Sequence, residues 1–136
     1  MRRLVTFIGL CLLFPPGLLA KSRSTATQDS GYGSALAMAD RFLQAWQAGD
    51  VENGMVLLSS HAKESATAEN VESFFSDAGA AAFEITRGKL LKRDRYAFPV
   101  VLISGNGSKN GRVHRRFCSI VIVNTGHNDW AVDKLP

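Results

Sequence analysis

The sequence has 136 residues, of which 46% are hydrophobic and 21% charged, and its formal net charge is +4 at pH 7. This length excludes more than one ordinary domain, and the balance of residue types is that of a globular protein. No internal repeat is present.

Residues 1–20 have the layout of a secretory signal peptide: a basic start at Arg2 and Arg3, an apolar run over residues 4–14 and a small residue at Ala20. The run is too short to span a bilayer, which needs about 20 apolar residues. We therefore predict an exported protein, periplasmic or extracellular, cleaved after Ala20. A buried first strand or an uncleaved anchor is the alternative.

Lipid attachment at Cys11 is disfavoured because the bulky Leu10 precedes it and the apolar run continues beyond it. Cleavage after Ala20 would leave Cys118 as the only thiol, so no internal disulfide is expected. Cys118 lies in an apolar segment, which favours a buried structural cysteine over a reactive one. The mature chain would carry 14 basic and 12 acidic residues, a net charge of only +2.

Charge is distributed unevenly along the predicted mature chain. Residues 21–84 hold 4 basic and 9 acidic residues, whereas residues 85–136 hold 10 basic and 3 acidic ones. The asymmetry is compatible with an anionic partner, but also with complementary charges on two packed layers or with a solvated face.

The first half of the chain predicts helices. Residues 21–33 are rich in Ser, Thr and Gly and predict a flexible linker. Apolar residues spaced three and four apart predict a helix from Ser34 to Ala48, which Gly49 ends. Asp50 is the expected N-cap of a second helix over residues 51–59. Residues 60–65 are expected to form a loop, and Thr67 to cap a third helix over residues 68–78.

Four apolar segments separated by Gly- and Asn-rich turns predict an antiparallel meander. They span Ala82–Leu91, Arg95–Ser104, Arg112–Asn124 and Asp129–Leu135. Gly88 indicates a bulge in the first segment, and Pro99 an edge or a bulge in the second. The second and third segments are apolar on both faces, so either both faces are covered or one meets a partner.

The order of these elements resembles the nuclear transport factor 2-like, or cystatin-like, superfold over residues 34–136. The likeness is carried by "FLQAWQAGD", "VENGMVLL", "VESFFSDAG", "FEITRGKLL", "RYAFPVVLI" and the closing "WAVDKLP". It implies an α+β fold in which N-terminal helices pack on a curved four-stranded antiparallel meander sheet, forming a cone with a pocket. Small secreted proteins of unknown function are the most similar members.

Two groups of residues are candidates for binding. The predicted ligand pocket is aromatic and consists of Phe42, Trp46, Tyr96, Phe98, Phe117 and Trp130. The predicted basic face consists of Arg95, Arg112, Arg115 and Arg116.

No catalytic residue is predicted, because no motif of the isomerases and cyclases of this superfold aligns with the sequence. The polar candidates are expected to be structural: Tyr96 a core aromatic, Asp94 a turn residue, His114 a sheet-surface residue and Asp133 part of an ion pair or hydrogen bond. The three histidines are scattered, so neither a metal site nor a cofactor is expected. His61 and His127 are expected to be solvated loop residues.

The sequence therefore predicts an exported, non-enzymatic domain that binds a small apolar ligand or a protein partner. The alternative is a small isomerase or cyclase that uses a polar residue inside the cone.

A homodimer through the outer sheet face is expected, with Val101 and Ile120 as test positions. Export and the low net charge argue against nucleic acid, while anionic lipid or a cell-envelope polymer stays a weaker option. Membrane contact is otherwise expected only through the signal peptide or the disfavoured lipidation.

Overall fold

The computed structural model describes residues 30–76, 82–105 and 112–136. The predicted signal peptide (1–20), most of the predicted linker (21–33) and the end of the third predicted helix (77–78) lie outside the described residues. Within the described part of the chain, no helix combines the length and the apolar character needed to cross a membrane.

Four helices precede the sheet in the described residues. They are α1 (Ser30–Ala48), α2 (Val51–Val56), α3 (Ser60–Ser65) and α4 (Ala68–Ser76).

Helix α1 begins at Ser30, four residues before its predicted start at Ser34. A distant contact helps to hold this extra turn, since the Tyr32 hydroxyl accepts a hydrogen bond of 3.1 Å from the amide of Gly88. The Tyr32 ring also packs on Phe98, with the ring centroids 5.4 Å apart. Residues 30–33 therefore belong to the helix rather than to a linker.

The sharp junction between α1 and α2 is confirmed. Gly49 has a φ of +69°, a conformation that ends helices and that glycine adopts without strain. Asp50 then caps α2, because its Oδ1 accepts a hydrogen bond of 3.0 Å from the amide of Asn53.

The prediction of a loop over residues 60–65 is wrong, because these residues form α3. Ser59 is its N-cap and accepts a hydrogen bond of 3.0 Å from the amide of Ala62. The preceding backbone pairs with the last strand: the Ser59 amide donates to the Val132 carbonyl, and the Val132 amide to the Leu57 carbonyl, each over 2.8 Å. These bonds fix a short helix that local propensity alone would leave marginal.

Helix α4 is capped as predicted, since Thr67 Oγ1 lies 3.3 Å from the amide of Asn70 that donates to it. Its apolar stripe of Val71, Phe74 and Phe75 is buried.

The described strands form an open antiparallel sheet of five strands in which both β1 and β2 pair with β3. They are β1 (Ala82–Ile85), β2 (Lys89–Lys92), β3 (Arg95–Gly105), β4 (Val113–Gly126) and β5 (Asp129–Lys134). Four strands were expected; the fifth arises because residues 86–88 interrupt the first predicted segment. The interruption lies against Phe98, whose Cδ1 would be 2.4 Å from a Cβ at Gly88.

Helix α1 packs on the inner face of the sheet and closes the core. Its Phe42 and Leu43 are fully buried, as are Phe98 on β3 and Ile120 and Ile122 on β4. The predicted class is thereby confirmed: an α+β fold with N-terminal helices on an antiparallel meander sheet.

Candidate functional site

The structure brings five of the six predicted pocket residues together in the interior. These five are at most 5% exposed: Phe42, Trp46, Tyr96, Phe98 and Trp130. Phe117, in contrast, is 78% exposed. In the sheet register Phe117 is opposite Val101 on the outer face, whereas Phe98 is opposite Ile120 on the inner face.

The interior rings pack on one another. The Tyr96 ring lies 5.8 Å from Trp130 and 6.3 Å from Phe98 between centroids. Trp46 Nε1 donates a hydrogen bond of 2.9 Å to the carbonyl of Phe74. These five aromatic residues thus help to form the core, and a ligand among them stays a prediction.

Beyond these rings, the inner face of β3 and β4 ends in a cavity of about 280 Å³, here called the end cavity. Its lining consists of Trp46, Leu102, Ser104, His114, Arg115 and Arg116. The Arg116 guanidinium lies 5.6 Å from the centroid of the Phe74 ring, a cation–π contact. The cavity combines an apolar floor with the His114 and Arg116 side chains of the inner face.

Cys118 is half-buried next to the end cavity, and its Sγ lies 3.6 Å from the carbonyl oxygen of Val100. Burial raises the pKa of this thiol, and the neighbouring Arg116 charge opposes the rise only in part. Burial therefore favours the thiol form of Cys118 over the reactive thiolate.

The outer face of the same hairpin carries an exposed apolar surface, here called the outer patch: Val101, Ile103, Val113 and Phe117. Val113 is 59% exposed, and Val101 and Ile103 are partly exposed. Closer to the turn between β4 and β5, the outer face is covered, since Ala97 and Val121 are each only 7% exposed.

The four predicted basic residues do not form one face. Arg115 and Arg116 are neighbours on a strand, so their side chains point to opposite faces of the sheet. Arg112 is exposed before β4 begins. Arg95 lies at the start of β3 and pairs with a buried aspartate instead of facing solvent alone.

That aspartate is Asp133, whose side chain is only 5% exposed. Its Oδ1 accepts a hydrogen bond of 2.8 Å from Ser59 Oγ and lies 3.4 Å from His61 Nδ1. Its Oδ2 lies 2.7 Å from Arg95 Nη2 and forms an ion pair with it. No N–H of Arg95 points at this oxygen, so the contact is not a hydrogen bond. The cluster links α3, β3 and β5, and the expected ion pair of Asp133 is confirmed.

Sequence reasoning missed two members of this cluster. His61 was expected in a loop; it is on α3, 73% exposed, and faces Asp133. Ser59 could have been recognised from the sequence, since serine is a preferred N-cap residue and its hydroxyl accepts a hydrogen bond from the amide two or three residues later.

The remaining polar candidates have structural surroundings. Asp94 has a φ of +60° in the turn between β2 and β3, where its carbonyl accepts a hydrogen bond of 2.9 Å from the amide of Asn124. Its predicted turn role is confirmed. His127 lies in the next hairpin turn. In residues 30–76, 82–105 and 112–136, no group of three His, Cys, Asp or Glu side chains is placed to hold a metal ion.

The fold matches known structures. A ketosteroid isomerase-like protein from Erwinia carotovora atroseptica superposes with a TM-score of 0.57 and 12% identity, covering 77% of this chain and 92% of that one. An NTF-2-like protein of unknown function from Shewanella oneidensis superposes with a TM-score of 0.54 and 11% identity, covering 74% and 93%. The chain therefore has the nuclear transport factor 2-like fold that its sequence resembles.

Similarity in sequence goes no further. No protein-family model matches the chain, and no curated protein is significantly similar to it. At these low identities the matches establish the fold alone, so a function has to be argued from the residues.

Proposed function

We propose that the protein is a non-enzymatic binding domain that uses the outer patch to bind a second copy of itself. The observation that carries the proposal is the 78% exposure of Phe117 on β4, opposite Val101 on the paired strand β3. Burying a phenylalanine side chain contributes about 1.5–3 kcal/mol, so leaving this one in water costs much of that amount. Contiguous exposed apolar surface is characteristic of an interaction site.

The charges around the outer patch favour self-association. Glu84 on β1 lies opposite Val101, and Arg115 on β4 lies opposite Ile103. Glu84 thus borders the patch on β1, and Arg115 lies within it on β4, between Phe117 and Val113. A two-fold axis that runs through the patch parallel to the strands would bring Arg115 of each copy towards Glu84 of the other, because an isologous interface pairs each patch with itself.

Native mass spectrometry at micromolar concentration tests this proposal. The protein is expected to run as a dimer, and Phe117→Glu to run as a monomer because the variant buries a charge in the interface. The matched control is Val56→Glu, which alters a valine on α2 that is 73% exposed and lies away from the patch. A wild-type monomer, or a Phe117→Glu dimer, would overturn the proposal.

The end cavity supports a second candidate function, binding of a small apolar ligand with His114 available for proton transfer. The His114 imidazole lines the cavity and is the kind of side chain that serves as a general acid or base. This arrangement corresponds to the isomerase or cyclase alternative. The same spectra would reveal a bound ligand as added mass, which Leu102→Trp should displace by filling the cavity. Mass that persists in that variant would argue against the end cavity.

We also propose that the mature protein is exported and begins at Lys21. The support is the basic, apolar and small-residue pattern of residues 1–20. N-terminal sequencing of protein recovered from the exported fraction should read Lys-Ser-Arg. A chain that retains Met1 in that fraction would contradict cleavage.

A further inference from the structure

We infer that a groove beside the Asp133 cluster binds a small organic anion with an apolar body, such as an aromatic or aliphatic carboxylate. The groove, here called the edge groove, lies between α3, the start of α4 and the end of β5, and has a volume of about 410 Å³. Its size falls within the roughly 300–1,000 Å³ typical of small-molecule sites. It is separate from both the outer patch and the end cavity.

The charge in the edge groove is positive. The acid that lines it, Asp133, is buried and already neutralised by Arg95 at 2.7 Å. Lys134 also lines the groove and, among the described residues, has no acidic group within ion-pair distance. His61 adds a positive charge when it is protonated. A bound molecule therefore meets an excess of positive charge.

Several polar groups of the groove can donate a hydrogen bond to a bound molecule. The Asn70 side chain lines the groove without a hydrogen bond to any described residue. Arg95 has five N–H groups, and its contact with Asp133 is through Nη2. Asp133, the main acceptor, is shielded beneath Arg95 and Ser59. Together with the charge of Lys134, these donors can bind a carboxylate.

The walls of the groove are apolar. Ala62 is buried, and Ala66 and Leu135 are half-buried and line the same space. A bare inorganic ion would leave this surface in contact with water, whereas a ring or a short alkyl chain would cover it. The combination of cationic and apolar walls points to an anion attached to an apolar body.

Amide chemical shifts measured by NMR test the inference with three carboxylates: benzoate, hexanoate and cyclohexanecarboxylate. At least one is expected to cause saturable shifts at Ala66, Asn70 and Lys134. The neutral amide of the same acid should bind more weakly, because it lacks the charge. Lys134→Gln should weaken carboxylate binding about two- to fivefold, the effect of one exposed charge.

Lys89→Gln on β2 is the matched control and should leave the affinity unchanged, since Lys89 is an exposed lysine outside the groove. The inference is overturned if none of the carboxylates shifts these amides, or if each amide binds as well as its acid. Equal weakening by both lysine variants would indicate a general charge effect and also overturn it. If inorganic phosphate bound as tightly as the carboxylates, the apolar body would contribute nothing to binding, and that part of the inference would be overturned.

Discussion

The β3–β4 hairpin has two halves in different surroundings. Near Phe98 and Ile120, α1 covers the inner face and both side chains are completely buried. Near the other end, Phe117 lies on the outer face and is 78% exposed, while Arg116 and His114 face the inner side. Apolar residues stabilise the fold in the first half; in the second they are exposed where a partner could bind.

An aromatic residue on a strand does not by itself indicate a pocket. Phe98 and Phe117 have the same chemistry and lie on paired strands. What separates them is which face each occupies and whether a helix packs against that face. The same applies to Ile120, expected on the outer face as a test position but fully buried on the inner one.

The largest expected effect comes from truncating the two phenylalanines separately. Phe98→Ala should lower the free energy of unfolding by about 3–5 kcal/mol, because it removes a buried ring and leaves a cavity. Phe117→Ala should change it by less than about 0.5 kcal/mol in the monomer, because the ring is exposed. Urea denaturation of both variants measures this difference. Similar losses would show that the two halves do not differ as described.

The next effect concerns the Asp133 cluster, which holds α3 against the covered half of the sheet. Asp133→Ala should destabilise the fold by about 2–4 kcal/mol, since it removes the buried partner of Arg95 and the acceptor of the Ser59 hydroxyl. Glu72→Ala, an exposed acid on α4, should change stability by less than about 0.5 kcal/mol. Equal effects would argue against a stabilising cluster.

A smaller effect on stability is expected at two glycines in helices, where helix propensity and side-chain packing can be told apart. Helix propensity alone predicts that Gly54→Ala stabilises α2 by up to about 1 kcal/mol. A Cβ at Gly54, however, would lie 2.0 Å from Cζ of Phe75, so the substitution should instead destabilise by about 1–3 kcal/mol.

Gly33→Ala is the matched control, because a Cβ there meets no heavy atom within 4 Å. It should stabilise α1 by up to about 1 kcal/mol. Thermal unfolding of the two variants should therefore shift in opposite directions, and a shift in the same direction would contradict the close approach of Phe75 to α2.

The smallest effect is on the reactivity of Cys118. Because burial raises its pKa, less thiolate is present at pH 7, and alkylation should be slower than that of cysteine in an unfolded peptide. Arg116→Gln should slow it further, since the arginine charge favours the thiolate. Site-resolved mass spectrometry of the Cys118 peptide measures both rates, and faster alkylation in the variant would reverse the assigned role of Arg116.

The sequence by itself determined the fold class and most element boundaries. Gly49 and Asp50 mark the end of one helix and the start of the next through bonds to residues a few positions away, and Thr67 does the same for α4. Such indications are local, because helix caps and the alternation of side chains along a strand depend on residues only a few positions away. The resemblance to the nuclear transport factor 2-like superfold drew on the same local features.

Only the tertiary structure decided which faces are covered and which side chains meet. Ser59 and Asp133 are 74 residues apart in sequence and share a hydrogen bond. Arg95 and His61 come from β3 and α3 to the same carboxylate. Phe117 is exposed because α1 packs on the opposite face. These outcomes depend on contacts between distant segments, and no pattern within a single segment specifies them.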